Sequence, residues 1–330
     1  MTATNCTSSR RVVFAALAAN LLIAVTKMGA ALWTGGTAML SEAVHSFVDS
    51  GNQVLLLYGM HRAARPADAK HPIGYGRELY FWSFVVAVMI FALGAGVSIY
   101  QGAIHLLRPE SIEDPLVNYV VLGIASIFEG YSWFISKRQF AQAKGELGYY
   151  EAFRRSKDPP LFIVLFEDSA ALLGIGIAAL GTYAATSLHW PLADGIASLL
   201  IGVLLAGVSI LLARESKSLL IGEQVSGELA DSITRVAKSA SAASTVNGLL
   251  TVQLAPDQII AALSLEFDDE LRAPQIEREV VHIEKTIRAA HPEVVTLLIK
   301  PQTRRSFSEN VQRRFGCGSQ VESAAVETRN

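Results

Sequence analysis

The stretch AMLSEAVHSFVDSGNQVLLL, residues 38–57, is the most informative part of the sequence, because it is long enough to cross a membrane and yet carries a polar stripe. A helix of about 20 mostly apolar residues spans a hydrocarbon core of about 30 Å. Glu42, His45, Asp49 and Asn52 recur at spacings of three and four, so they share one helix face. An ionisable residue at this depth costs about 2.5 kcal/mol or more and is usually functional. The stretch therefore predicts a transmembrane helix with a functional polar face.

Five further apolar stretches accompany this one. The six predicted spans cover residues 12–33, 38–60, 79–101, 116–136, 161–186 and 192–213. Each is predicted to be helical, since backbone groups in lipid must be hydrogen-bonded within their own segment. The chain is 51% hydrophobic and 18% charged, which is too apolar for an ordinary soluble domain of 330 residues. A net charge of -2 without a basic domain argues against a nucleic-acid partner and leaves the lipid membrane as the expected surroundings.

Basic residues flanking the spans predict the orientation. They cluster at the start of the chain, in the loops at 61–78 and 137–160, and after residue 213, which all fall at one end of a six-span bundle. By the positive-inside rule that end is cytoplasmic, so both termini are expected inside. We expect a bacterial inner membrane, because no transit or retention signal is evident.

Beyond the last span the pattern becomes that of a soluble domain. Helices are predicted at 228–240 and 274–290, and strands at 248–254, 259–267 and 294–300. This α-β-β-α-β order predicts a small two-layer domain with an antiparallel sheet. The expected organisation is a tail at 1–10, a six-helix transmembrane domain at 11–214, a cytoplasmic α+β domain at 215–302 and a disordered tail at 303–330.

The fifth span carries a second acidic feature, LFEDSAAL at residues 165–172. Successive helical residues point about 100° apart, so Glu167 and Asp168 cannot face the same neighbour. His45, Asp49 and Asp168 together predict three ligands of a tetrahedral metal site, with Glu167, another side chain or water as the fourth. Nitrogen and oxygen ligands of this kind suit zinc. The alternative is a His45–Asp49 hydrogen bond that only fixes helix packing.

Other intramembrane polar residues are weaker candidates for a pathway or a proton relay. Each could equally form a hydrogen bond between helices. They are Asn20, Lys27, Glu129 and Asp194.

These features resemble the cation diffusion facilitators. The resemblance rests on SEAVHSFVDSGNQ at 41–53, HPIGYGRE at 71–78, the acidic fifth span and DGIASLLIG at 194–202, and it covers about residues 11–302. It implies a ferredoxin-like cytoplasmic domain, a homodimer, and alternating access coupled to proton antiport. In that family the central site takes two residues from the second span and two from the fifth, here His45, Asp49, Asp168 and position 164. This sequence has Val164 there, and Glu167 is the candidate replacement.

The function expected from these residues and this resemblance is efflux of a divalent cation, with zinc first and manganese or iron as alternatives. Metal and protons would compete for the same imidazole and carboxylates, because ligation requires their deprotonated forms. A non-transporting membrane sensor or scaffold is the other alternative, favoured by Val164. We expect no enzyme activity, since no nucleophile–base pair or nucleotide loop is present, and no cofactor other than the transported ion.

Overall fold

The computed structural model describes residues 2–34, 37–108, 115–240 and 244–315, without the side chains of 2–8, 30–31, 33–34, 37–45, 115 and 315. The chain divides into two compact units between Leu220 and Ile221. This boundary lies six residues after the predicted one at 214, because the last long helix of the first unit continues to Ile221. Each unit is described on its own below.

The first unit is helical. A π-helical turn at Ile90–Ala95 joins α3 to α4, so these two form one continuous rod. The helices are α1 (Thr2–Thr34), α2 (Thr37–Ala63), α3 (Glu78–Met89), α4 (Gly96–Leu107), α5 (Pro115–Lys144), α6 (Tyr149–Arg155), α7 (Pro159–Ser187) and α8 (Leu192–Ile221).

Within the described residues, five segments are long and apolar enough to cross a membrane. They are Ser9–Gly29, Glu78–Leu107, Leu116–Lys144, Pro159–Ser187 and Leu192–Ile221. These match five of the six predicted spans. Helix α2 forms where the remaining span was predicted, at 38–60, the second along the chain. Its polar residues Asp49, Asn52 and Gln53 lower the hydropathy of its described part. Membrane crossing by α2 therefore stays a prediction.

Contacts between helix termini establish an up-and-down arrangement. Ser9 of α1 donates a hydrogen bond to Asp158 just before α7, and the Tyr80 hydroxyl of α3 donates to the carbonyl of Lys157 at 3.2 Å. The starts of α1, α3 and α7 therefore lie together at one end of the bundle. The segments 64–77 and 145–158 are at this end, which is called the basic end below. At the opposite end, His105 Nδ1 of α4 lies 2.9 Å from Asp194 Oδ2 of α8.

Glycine allows α4 and α8 to touch near that opposite end. A Cβ atom on Gly102 would lie 2.8 Å from the backbone nitrogen of Leu199 and 2.9 Å from the carbonyl oxygen of Gly195. A Cβ on Gly195 would in turn meet the carbonyl of Gly102 at 3.1 Å. Small residues of this kind let membrane helices pack backbone to backbone.

The second unit confirms the predicted α-β-β-α-β order. It contains α9 (Gly227–Ala240), β1 (Ser244–Ala255), β2 (Gln258–Phe267), α10 (Ala273–Ala290), β3 (Val294–Pro301) and a further helix, α11 (Arg304–Phe315). The apolar faces of α9 and α10 cover one face of the sheet, where Ile233, Ile283 and Ile287 pack against Leu263 and Leu265. This layer of helices on a three-stranded sheet has the ferredoxin-like character that was expected.

Two predictions for this unit are wrong. The sheet is mixed, because β1 pairs antiparallel to β2 but β3 runs parallel to β2. The reason is that α10 forms a crossover that returns the chain to the starting end of β2. Disorder was predicted from 303, yet Arg304–Phe315 is helical. The prediction of disorder was based on the low apolar content of this segment. A single aromatic residue, Phe307, packs its ring directly onto Gly248 of β1. The remainder of the predicted tail, 316–330, lies outside the described residues.

Candidate functional site

A cavity of about 190 Å³ lies inside the helical unit. Side chains from α1, α2, α5, α7, α8 and the α3–α4 rod line it, and the π-helical turn contributes Ile90 and Gly94. π-Helical turns inside α-helices are frequent at functional sites. Most of the lining is apolar. Its charged described residues are Lys27, Asp49, Glu129, Glu167 and Asp168.

Among the described acids that line the cavity, Asp168 has the least exposed surface, 2%. Its Oδ2 atom accepts hydrogen bonds from the hydroxyls of Ser132 at 2.8 Å and Ser136 at 3.1 Å, both on α5. The two serines lie one turn apart on the face that also carries Glu129. The sequence prediction missed these serines. Their i, i+4 spacing in an apolar helix was the available signal.

Glu167 faces a different helix. Its Oε2 accepts a hydrogen bond from Gln53 Nε2 at 2.8 Å, and its Oε1 accepts a longer one from Asn52 Nδ2 at 3.4 Å. Both amides are buried and belong to the polar stripe of α2. The two adjacent acids therefore diverge as predicted, with Glu167 directed at α2 and Asp168 at α5.

One of the two predicted ligands from α2 lies in the same cavity as the acids of α7. Asp49 lines the cavity together with Glu167 and Asp168. His45 lies one turn before Asp49 in α2, and its side chain is outside the described residues. Among the side chains that are described, no group of three or more His, Cys, Asp or Glu residues is close enough to hold a metal ion. The ligand set His45, Asp49, Asp168 and Glu167 therefore stays a prediction.

Val164 does not lie among the described residues that line the cavity. It is fully buried in a hydrophobic cluster with Phe162, Ile163 and Leu165 at the start of α7. A hydrophobic side chain suits this position, because the first two turns of α7, residues 159–165, are buried throughout.

Electrostatic interactions join the acids of the cavity into one cluster. The Glu129 carboxyl interacts with the charges of Asp168, Asp49 and Lys27. Glu167 interacts with those of Asp49, Asp168 and Glu129. Charges in a low-dielectric interior act on one another over several ångströms. Any cation that enters the cavity is therefore attracted by the whole group rather than by a single carboxylate.

The cavity lies on one side of the acids. From Asp49, Glu167 and Asp168 its lining continues away from the basic end, through 20–27 of α1, 122–129 of α5 and 170–178 of α7. Towards the basic end the helices close around buried hydrophobic side chains. Within this cluster, called the hydrophobic seal below, the ring of Phe153 of α6 contacts the ring of Phe162 edge-on, with centroids 5.1 Å apart.

The weaker candidates separate into two groups. Asn20, Lys27 and Glu129 line the cavity. Asp194 does not lie among the described lining residues and pairs with His105 at the opposite end of the bundle.

The loop between α2 and α3 forms a hydrogen-bonded turn. Asp68 accepts bonds from the backbone nitrogens of Lys70 and His71 and from the hydroxyl of Tyr75 at 2.6 Å. The Tyr75 hydrogen bond, aided by those backbone donors, lowers the pKa of Asp68 to about 2. Gly74 follows with a positive φ of 87°, which glycine adopts without strain. The HPIGYGRE motif therefore has a structural role in shaping this turn.

Comparison with known proteins agrees with these features. Residues 13–221 match the profile of the cation efflux transmembrane domain. The chain is 34% identical over 262 residues to the mitochondrial proton-coupled zinc antiporter SLC30A9 of Xenopus laevis, covering 78% of this chain and 46% of that protein. It is 29% identical over 266 residues to metal tolerance protein C4 of Arabidopsis thaliana, covering 80% of this chain and 58% of the relative.

A bacterial relative is matched over more of its own length. The cation-efflux pump FieF of Escherichia coli is 24% identical over 290 residues, which cover 86% of this chain and 89% of the pump. By contrast, the chain spans about half the length of the antiporter and the metal tolerance protein. The match to the family profile extends over more than half of the 330 residues. This chain is a membrane protein that belongs to the cation diffusion facilitator, or cation efflux, family.

Proposed function

We propose that this chain exports a divalent cation, with zinc as the cargo, in exchange for protons. The observation that carries the proposal is that Asp49 from α2 lines the same cavity of the helical unit as Glu167 and Asp168 from α7. Ionisable side chains at membrane depth mark ion pathways, and carboxylates attract divalent cations. The name of the bacterial pump supports cation efflux, and the name of the antiporter supports exchange of zinc for protons.

In this proposal His45, Asp49, Asp168 and Glu167 bind the cargo. Their proton affinities supply the coupling, because imidazole and carboxylates bind either a metal ion or protons. Two of the acids are preorganised by neighbours, Asp168 by the serines of α5 and Glu167 by the amides of α2. A ligand that is already oriented loses less conformational entropy when the ion arrives.

Alternating access requires that the site open to one side at a time. The one-sided cavity supports this, since its acids have a lined space on one side and the hydrophobic seal around Phe153 on the other. We infer that this arrangement is the outward-facing state and that the basic end is cytoplasmic. Opening to the cytoplasm then requires Phe153 and Phe162 to separate. We further propose a homodimer, with both termini in the cytoplasm of a bacterial inner membrane.

One observation favours manganese or iron as the alternative cargo. The described lining is rich in carboxylates, which suit harder ions than imidazole does. The contribution of His45 therefore decides between the two classes of cargo.

The test is metal flux into proteoliposomes under an imposed pH gradient, with zinc, manganese, iron and cadmium offered separately. Asp49→Asn removes one acid of the cavity while keeping its size. Asp194→Asn is the matched control, because it removes a carboxylate that pairs with His105 outside the described lining. Zinc flux that needs the gradient, persists in Asp194→Asn and is lost in Asp49→Asn supports the proposal. Zinc binding without flux in the unmodified protein would contradict transport and favour the alternative hypothesis of a non-transporting sensor or scaffold.

A further inference from the structure

Lys27 is an unusual residue in its helix. Between Val12 and Gly29 it is the only charged side chain in the sequence of α1. A lysine within a membrane span is unfavourable by about 2.5–3.5 kcal/mol on insertion scales unless it finds a partner or water. The structure places Lys27 half-buried in the lining of the acidic cavity. The predicted metal ligands give it no role, and a lysine cannot itself bind a metal ion while it is protonated.

The surroundings of Lys27 point to a role in charge balance. Its ammonium interacts electrostatically with Glu129, which in turn interacts with Asp49 and Asp168. Four carboxylates in one small cavity repel one another, and the described lining offers a single lysine as compensation. A divalent cation among the same acids would repel that ammonium. The flexible four-carbon stem of lysine allows the charge to move while the backbone stays in place.

We propose that Lys27 is the resident counter-cation of this cavity and that the transported ion displaces its ammonium from the acids. Lys27 then sets the affinity at which the ion is released, since its return to the acids competes with rebinding. This inference rests on the proposed function. It assigns Lys27 as a residue that tunes binding through the acids, without contacting the ion.

The test measures zinc binding to the purified full-length protein in detergent at constant pH and salt. Binding that disappears in Asp49→Asn is counted as binding in the cavity, which separates it from other sites on the chain. Lys27→Met removes the charge at similar length and should tighten cavity binding by about tenfold or more, because a competing positive charge is lost from a low-dielectric site. Lys27→Arg keeps the charge and should bind within about threefold of the unmodified protein. Equal or weaker zinc binding by a correctly folded Lys27→Met protein would overturn the proposal.

A second comparison covers the case in which Lys27→Met fails to fold because the acids lose their partner. Glu129→Gln lowers the negative charge of the cavity and should weaken zinc binding. Adding Lys27→Met to Glu129→Gln restores the original balance of charge and should tighten binding again. Identical affinities in Glu129→Gln and the double variant would contradict a counter-ion role. Failure of the proposed function is a separate result, because it shows as the absence of gradient-dependent zinc flux in the unmodified protein, whatever the zinc affinities of these variants.

Discussion

The hydrogen bonds to Asp168 lead to a graded prediction for two serines of α5. Ser132→Ala and Ser136→Ala each remove one hydroxyl donor from Oδ2 of a carboxylate that is only 2% exposed. Loss of a hydrogen bond to a charged, buried group costs about 1.5–3 kcal/mol. Without these donors the carboxylate is less well oriented towards the cavity. Both variants should therefore reduce ion transport.

The geometry also ranks the two variants. Ser132 donates to Asp168 over 2.8 Å, whereas Ser136 lies at 3.1 Å and is also 2.9 Å from the carbonyl oxygen of Ser132. Because Ser136 divides its single proton between two acceptors, its removal should cost roughly half as much, about 1 kcal/mol against about 2 kcal/mol. In terms of apparent affinity for the ion, these losses correspond to about fivefold and about thirtyfold.

The assay is the concentration dependence of zinc flux in proteoliposomes, together with thermal unfolding of each variant in detergent. Ser126→Ala is a matched control, because Ser126 is on the same helix and its hydroxyl donates a hydrogen bond to the backbone carbonyl of Leu122 at 2.8 Å. If Ser132→Ala and Ser126→Ala changed the apparent affinity equally, Ser132 would not orient Asp168 for ion binding. A larger effect of Ser136→Ala than of Ser132→Ala would refute the ranking.

Two further predictions concern helix packing and the loop. Gly102→Ala should lower the free energy of unfolding by about 1–3 kcal/mol, because its Cβ would lie 2.8 Å from the backbone of Leu199. Gly176→Ala is the control and should leave the melting temperature unchanged, because nothing lies within 4 Å of its Cβ position. Equal melting temperatures of the two variants would disprove the close contact. Asp68 has a folded pKa of about 2, below its ordinary value of 3.8, so its stabilisation of the turn is present above about pH 4 and lost as pH falls through 2. Tyr75→Phe should raise that pKa, as measured by NMR of aspartate-labelled protein, and an unchanged titration would exclude the hydrogen bond as its cause.

Much of the architecture could be predicted from hydropathy because burial in lipid imposes a simple length rule on each helix. Five spans and the order of elements in the second unit follow the sequence closely. The direction of β3 was mispredicted, since strand patterns carry no information about which neighbour a strand joins or in which sense. Helix α11 was missed for a related reason. Its packing depends on a single aromatic contact, Phe307 on Gly248, which the polar composition of the segment does not predict.

The candidate site divides in the same way. The presence of acids and a histidine in the apolar helices α2 and α7 could be predicted from the sequence, because such residues stand out where nearly all neighbours are hydrophobic. The sequence also predicted that Glu167 and Asp168 point apart. The partners of the two acids depend on the packing of the helices, which directs Glu167 to the amides of α2 and Asp168 to the serines of α5. This packing also brought Lys27 and Glu129 into the same cavity. Helical periodicity fixes the angle between two side chains, but which helix stands at that angle depends on the packing of the whole bundle.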